Sequence, residues 1–207
     1  MATLADLSGR IQDDLDRADL ALQIGQAIRD AVEHYESERF AFNEVANVTA
    51  TFGGGADAIP LASLPVYFTK IDRIRLQVSG APTLTDLIPR DYAWLMAGQD
   101  VKAICRPVEY CVYAEQLQLD SRPDQAYLAV LDGVQRISTA SAATDSSAWF
   151  NEGRHLVRAR AKADLYAHVV KALDQAQVMT ALEQRAFRTL KQKLNARNAG
   201  RIRPTIY

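Results

Sequence analysis

At 207 residues, with 48% hydrophobic and 24% charged side chains, the chain has the composition of a folded soluble protein and can bury one sizeable core or two small ones. The opening Met1-Ala2-Thr3-Leu4-Ala5-Asp6 has neither a basic nor an apolar leader region, and no uninterrupted apolar run approaches the ~18 residues of a membrane span, so a signal peptide and a membrane phase are both excluded as expectations. The net charge of −1 conceals an asymmetry: residues 1–44 hold 4 basic and 10 acidic side chains, residues 45–149 hold 8 and 11, and residues 150–207 hold 12 and 4.

Two physical readings of that asymmetry stand side by side. Acidic and basic helices attract when they pack together in one chain, and two ends of opposite charge can face different partners. The two cysteines, Cys105 and Cys111, match neither a C-x-x-C nor a zinc spacing and are expected as reduced, partly buried thiols.

In chain order, Leu4, Leu7, Ile11 and Leu15 recur at helical intervals, with Thr3 and Asp6 placed to form a capping box. Asp13, Asp14 and Asp16 oppose the macrodipole at the end of this helix, which predicts a break over 16–19. Asp19 is expected to cap a second helix with the stripe Leu20, Ile24, Ile28, Ala31 and Tyr35, making a helical hairpin. Val45 to Phe52 reads as strand, and Gly53-Gly54-Gly55 as a flexible hairpin tip, because no Gly-Lys-Ser/Thr comes after it to make a phosphate loop.

Val66 to Val78 reads mostly as strand and Leu84 to Gly98 as a short helix that must accommodate Pro89. Glu109 to Leu119 and Ala126 to Ile137 both alternate, and the turn composition between them predicts one antiparallel hairpin. Residues 138–147 are small and polar, a loop in which Asp145 or Ser146 is placed to cap the next helix. Two further helices carry the stripes Leu156, Ala159, Ala163, Tyr166, Val170 and Val178, Leu182, Ala186, Leu190, Leu194. Past Gly200 the segment Arg201-Ile202-Arg203-Pro204-Thr205-Ile206-Tyr207 reads as an extended tail.

The predicted fold is therefore α+β: a bundle of two N-terminal and two C-terminal helices (1–44 plus 148–199), an inserted antiparallel β region (45–147), and an extended tail (200–207). No catalytic, cofactor-binding or metal-binding residue is predicted. His34, His155 and His168 form no H-E-x-x-H or Cys/His cluster, and neither a nucleophile elbow nor a nucleotide-binding glycine motif is present. The expectation is a non-enzyme without cofactors.

The order of elements and the local wording resemble the head-to-tail adaptor (connector, or head-completion) proteins of tailed bacteriophages. The residues that carry this are Leu4-Ala5-Asp6-Leu7 with Ile11-Gln12-Asp13-Asp14-Leu15; Ile24, Ala27-Ile28, Ala31-Val32 and Tyr35-Glu36; the block Arg39-Phe40-Ala41-Phe42-Asn43-Glu44; Leu64-Pro65; Trp149-Phe150; and the terminal Arg-Ile-Arg-Pro.

The resemblance implies a homo-oligomeric ring, expected to be a dodecamer, under the portal protein. Such a ring extends the DNA channel and joins the capsid to a tail or further neck protein, with double-stranded DNA passing through the lumen without specific binding. Its place would be the neck of the virion, after assembly in the host cytoplasm. On this reading 201–207 docks on the portal, and Asp13, Asp14 and Asp16 meet Arg154, Arg158 and Arg160 between subunits. A non-viral helical binding module with a β insertion is the alternative.

Overall fold

The first helix, α1 (Leu4–Leu15), begins as its residues dictate. The Thr3 hydroxyl accepts from the Asp6 N–H at 3.1 Å, and the Asp6 carboxylate accepts from the Thr3 N–H at 2.9 Å. These bonds satisfy donors that a helix start leaves orphaned. The helix stops at Asp16, whose backbone turns left-handed at φ 51°. The structure, a computed structural model, describes residues 2–78, 83–97, 102–138, 142 and 144–199.

A short 3-10 turn (Ala18–Leu20) leads into α2 (Ala21–Tyr35). Asp19 does not cap α2. It lies inside the 3-10 turn, where it accepts from Arg17 at 2.7 Å, and α2 starts on Leu20 without a side-chain cap. After α3 (Tyr92–Met96) of the middle region come α4 (Ala148–Asn151), α5 (Arg154–Asp164) and α6 (Leu173–Ala199), with a π-helical turn (Leu165–Val170) between the last two. Ser147, rather than Asp145 or Ser146, caps α4 by accepting from the Trp149 N–H at 3.3 Å.

The chain divides into two compact units, 1–43 with 137–207 and 44–136. From Ile137 onward, the described residues of the loop assigned by composition to the β insertion group with the helices. Thr3 bridges to Ser146, Leu4 N–H donates to the Asp145 carbonyl at 3.2 Å, and Trp149 Nε1 donates to the Ile137 carbonyl at 3.0 Å.

The helical unit closes on one core. Leu4, Leu7 and Ile11 of α1, Ile24, Ile28 and Ala31 of α2, and Leu156, Val157 and Ala161 of α5 are all buried in it. Phe40, Phe42 and Trp149 form an aromatic cluster, with ring centroids 5.0 to 5.6 Å apart. Asn43, fully buried, holds that block by accepting from the Phe40 N–H and donating to the Glu38 carbonyl, each at 2.8 Å. Lys191 of α6 docks on the same block. Its ammonium reaches Glu38 at 2.6 Å and lies 5.0 Å from the Phe40 ring. A second polar tie is interior: the Tyr35 hydroxyl donates to the buried Glu183 carboxylate, which Arg160 also approaches at 3.4 Å.

Among its described residues the inserted unit holds eight strands in two sheets. One sheet is fully antiparallel and ordered β1-β8-β3-β4, from β1 (Glu44–Phe52), β8 (Tyr127–Gln135), β3 (Phe68–Val78) and β4 (Leu84–Asp86). The other is ordered β2-β7-β6-β5, from β2 (Ala58–Pro60), β7 (Gln116–Leu119), β6 (Glu109–Tyr113) and β5 (Ile88–Pro89), with β5 running parallel to β6. Phe52, Ile74, Leu76, Ala129 and Leu131 from the first sheet and Tyr110, Leu117 and Leu119 from the second share a single core, as in a sandwich.

Three expectations are corrected here. Residues 109–119 are two strands, paired to each other through a tight turn at Ala114 (φ 50°) and Glu115 (φ 58°). Consequently β8 pairs with β1 and β3 in the other sheet, so the hairpin predicted between 109–119 and 126–137 does not form. The run from Leu84 is extended, and helix is confined to α3 (Tyr92–Met96), because Pro89 sits in the edge strand β5, where its missing N–H costs little. The glycine run carries the chain from one sheet to the other rather than capping a hairpin. Gly55, at φ 83°, anchors it by donating to the Pro123 carbonyl at 2.7 Å.

In β1 a bulge separates Val45 from Val48, with Asn47 left-handed at φ 58°. Its N–H donates to Asp132 at 2.7 Å, and Arg75 donates to the Asn47 side-chain oxygen at 2.9 Å.

Candidate functional site

The predicted charge contacts fall into separate places on the helical unit. Asp14 accepts from Arg158 Nε at 2.9 Å and from Lys162 Nζ at 3.1 Å, within one chain. Burial alone would raise the Asp14 carboxyl; the hydrogen bonds from Arg158 and Lys162 outweigh it and hold the pKa below the ordinary carboxylate value. Arg160 lies 3.4 Å from both Asp164 and Glu183. Asp13 and Asp16 are exposed, and Arg154 donates to its neighbour His155 at 3.2 Å. The structure thus brings Asp14 and Arg158 together and leaves Asp13, Asp16 and Arg154 outside that contact. Residues Arg201, Ile202, Arg203, Pro204, Thr205, Ile206 and Tyr207 lie outside the described residues.

Around the Asp14 triad runs a groove of about 500 Å³ between α5 and α6. Leu156, Ala159, Met179 and Leu190 line its floor, and Arg185 and Lys193 stand exposed on its α6 side. Burial, then the nearby Arg154, Arg158, Lys193 and Arg10, pushes the His155 imidazole below its ordinary pKa, which keeps it neutral at pH 7. Charge reading at the level of whole segments missed Arg185 and Lys193. The usable signal was their position flanking the α6 apolar stripe, eight residues apart and so on one side of the helix.

The inserted unit carries a different surface. Tyr92 of α3 stacks on Tyr113 of β6 with centroids 3.9 Å apart and planes 14° from parallel. Arg90 lies 5.1 Å from the Trp94 ring and donates to Glu109 at 2.8 Å, while Trp94 Nε1 donates to the same carboxylate at 3.3 Å. Trp94 remains 62% exposed, and Ile88, Val108, Val112 and Tyr113 are exposed as well. Aromatic and arginine side chains held in place yet open to water are the composition of a protein contact. The sequence signal was Tyr92-Ala93-Trp94, in which alternate aromatics flank an alanine; it was absorbed into a longer helix that does not form.

Among the described residues no group of three His, Cys, Asp or Glu side chains could hold a metal ion, and no helix is long and apolar enough to cross a membrane. Cys111 is buried, which pushes its thiol up, and Cys105 is exposed; both are free.

An adaptor, a protein whose work is done by surfaces, is the class that these features and the comparison with known families define. The chain belongs to the SU10 adaptor protein family, which it matches over residues 2–205. It is a phage-related structural adaptor. No curated protein matches the chain.

Proposed function

We propose that copies of this chain form a ring, a dodecamer on the family resemblance, between the portal of a DNA-filled capsid and the tail or a further neck protein. The ring extends the DNA channel, and duplex DNA crosses its lumen without a specific grip, because each phosphate contact would add affinity and slow a moving genome. The chain performs no catalysis and needs no cofactor. The observation that carries this reading is the family match over residues 2–205.

Two physical features support it. The exposed Tyr92, Trp94 and Tyr113 offer anchors to another virion protein. The segment 201–207, with two arginines, two isoleucines and a tyrosine, suits extended docking on the portal. Ordering such a segment costs about 1–2 kcal/mol per residue, so one copy binds weakly and a ring of copies binds strongly through effective concentration.

The test is negative-stain imaging of the full-length chain mixed with the portal protein of the same particle. Rings seated on portals are expected for the wild-type chain, with occupancy reduced by deletion of 201–207 and by Trp94→Ala. Portals that stay bare in the presence of wild-type protein overturn the proposal.

A further inference from the structure

The helical unit presents two faces that its own fold leaves unfilled. The first is the α5–α6 groove. Leu182 of its lining is 45% exposed, and Arg185 and Lys193 have no side-chain hydrogen bond or ion pair among the described residues. The second is the outer face of α2, where Leu22, Gln26, Arg29 and Glu33 succeed one another at intervals of four, three and four and are all exposed. Leu22 is 86% exposed, more than any other large apolar side chain among the described residues.

These faces differ in direction as well as chemistry. At about 100° per residue, Leu22 points roughly 160° away from the buried α2 stripe. On α5, the groove residues His155, Arg158, Ala159 and Lys162 point roughly 130° away from Val157 and Ala161, which are buried in the core shared with α2. Their charges are complementary. Asp30 and Glu33 outnumber Arg29 on the outer face of α2, whereas Arg158, Lys162, Arg185 and Lys193 outnumber Asp14 and Glu152 in the groove.

We propose that the outer face of α2 in one copy seats in the α5–α6 groove of the next copy, with Leu22 as the apolar knob and Asp30 and Glu33 meeting Arg185 and Lys193. This rests on the ring reading above and names the contact that builds the ring. The contact is heterologous: each copy offers a knob and a groove on different faces, so copies add head to tail until the rotation closes. The charges fix register and speed encounter, and the leucine supplies the desolvated centre.

The experiment uses the full-length chain, alone and with its portal, followed by mass photometry and negative stain. Leu22→Asp and the pair Arg185→Glu with Lys193→Glu each weaken assembly by about tenfold or more, while thermal melting stays that of the wild-type chain because the altered side chains are exposed. Asp30→Lys with Glu33→Lys weakens assembly alone and restores it when mixed into the Arg185→Glu, Lys193→Glu background. In a Cys105→Ser background, mixing Leu22→Cys copies with Leu182→Cys copies yields an oxidation-dependent covalent dimer that neither variant forms by itself. Wild-type rings that form while Leu22→Asp and the charge-reversed variants assemble equally well overturn this contact and leave the ring reading standing. Absence of wild-type rings both alone and on portals overturns the two together.

Discussion

Gly133→Ala places a methyl group where β3 leaves no room. A Cβ at Gly133 would stand 2.2 Å from the Lys70 carbonyl oxygen, 3.1 Å from Ile71 Cα and 3.1 Å from the Phe68 ring. The first two of these neighbours are backbone, so relief requires β3 to retreat from β8 by about 1 Å over Lys70 and Ile71, a stretch where the β3–β8 register already shifts. Overpacking of this kind costs about 1–3 kcal/mol, and a stretched ladder hydrogen bond adds about 1 kcal/mol.

Restricting the unfolded chain returns about 0.4–1 kcal/mol. The net expectation is a loss of about 2 kcal/mol, which for a unit of roughly 100 residues lowers the melting midpoint by about 10 °C. Circular dichroism at a wavelength dominated by sheet, with hydrogen exchange on the β3 and β8 amides, reads the effect. A midpoint within about 2 °C of the wild-type value, with unchanged protection of those amides, would refute the steric reasoning.

Glu115→Gly, at a left-handed position that favours glycine, is expected to raise the stability of the inserted unit by about 0.5 kcal/mol: relief of about 1 kcal/mol of backbone strain exceeds the added freedom of the unfolded chain. A urea titration showing a lowered midpoint would contradict it. Asp14→Asn is expected to cost about 1 kcal/mol at low salt and neutral pH, and less at high salt, because the Asp14 side chain is partly exposed. Since the folded-state pKa of Asp14 is depressed, its contribution is complete above the unfolded carboxyl value of about 4 and is lost as pH falls through the lower folded value. The gap between variant and wild-type melting curves should therefore be constant above about pH 4 and close as pH falls below it; an equal gap at all pH values would argue against the ion triad.

The helices were legible because their signals are local. Thr3 with Asp6 caps α1 as read, and the α2 stripe points into the core together with Leu4, Leu7 and Ile11 of α1. The α5 and α6 stripes are divided: Leu156 and Leu190 are in the core, Ala159 lines the groove, and Val178 and Leu182 are 53% and 45% exposed. The β region was legible as strand content but not as pairing. The β6–β7 turn is made by Ala114 and Glu115, which carry none of the Asn-Gly or Asp-Gly chemistry that announces a two-residue hairpin, so the two strands read as one. Once that turn is missed, β8 is assigned to the wrong neighbour. The Leu84–Gly98 stretch failed for a related reason: edge pairing through Ile88 and Pro89 is a tertiary event, invisible to helical periodicity. Of the candidate site, Asp14 and Arg158 were read as charges meeting between subunits, and they pair within one chain. Arg185, Lys193 and the Tyr92–Trp94–Tyr113 surface depend on which helix or strand packs beside which, and spacing along the chain does not encode that.

The Glu44–Val134 pairing joins the first residue of the inserted unit to one of its last across a strand pair. Directly opposed residues in such a ladder sit about 5 Å apart, so the polypeptide leaves the helices and returns to them through neighbouring doors. A segment tethered in that manner can lengthen, shrink or be exchanged without altering where the flanking helices begin and end. Evolution can thereby refit one half of the chain for a new neighbour while the other half stays as it was.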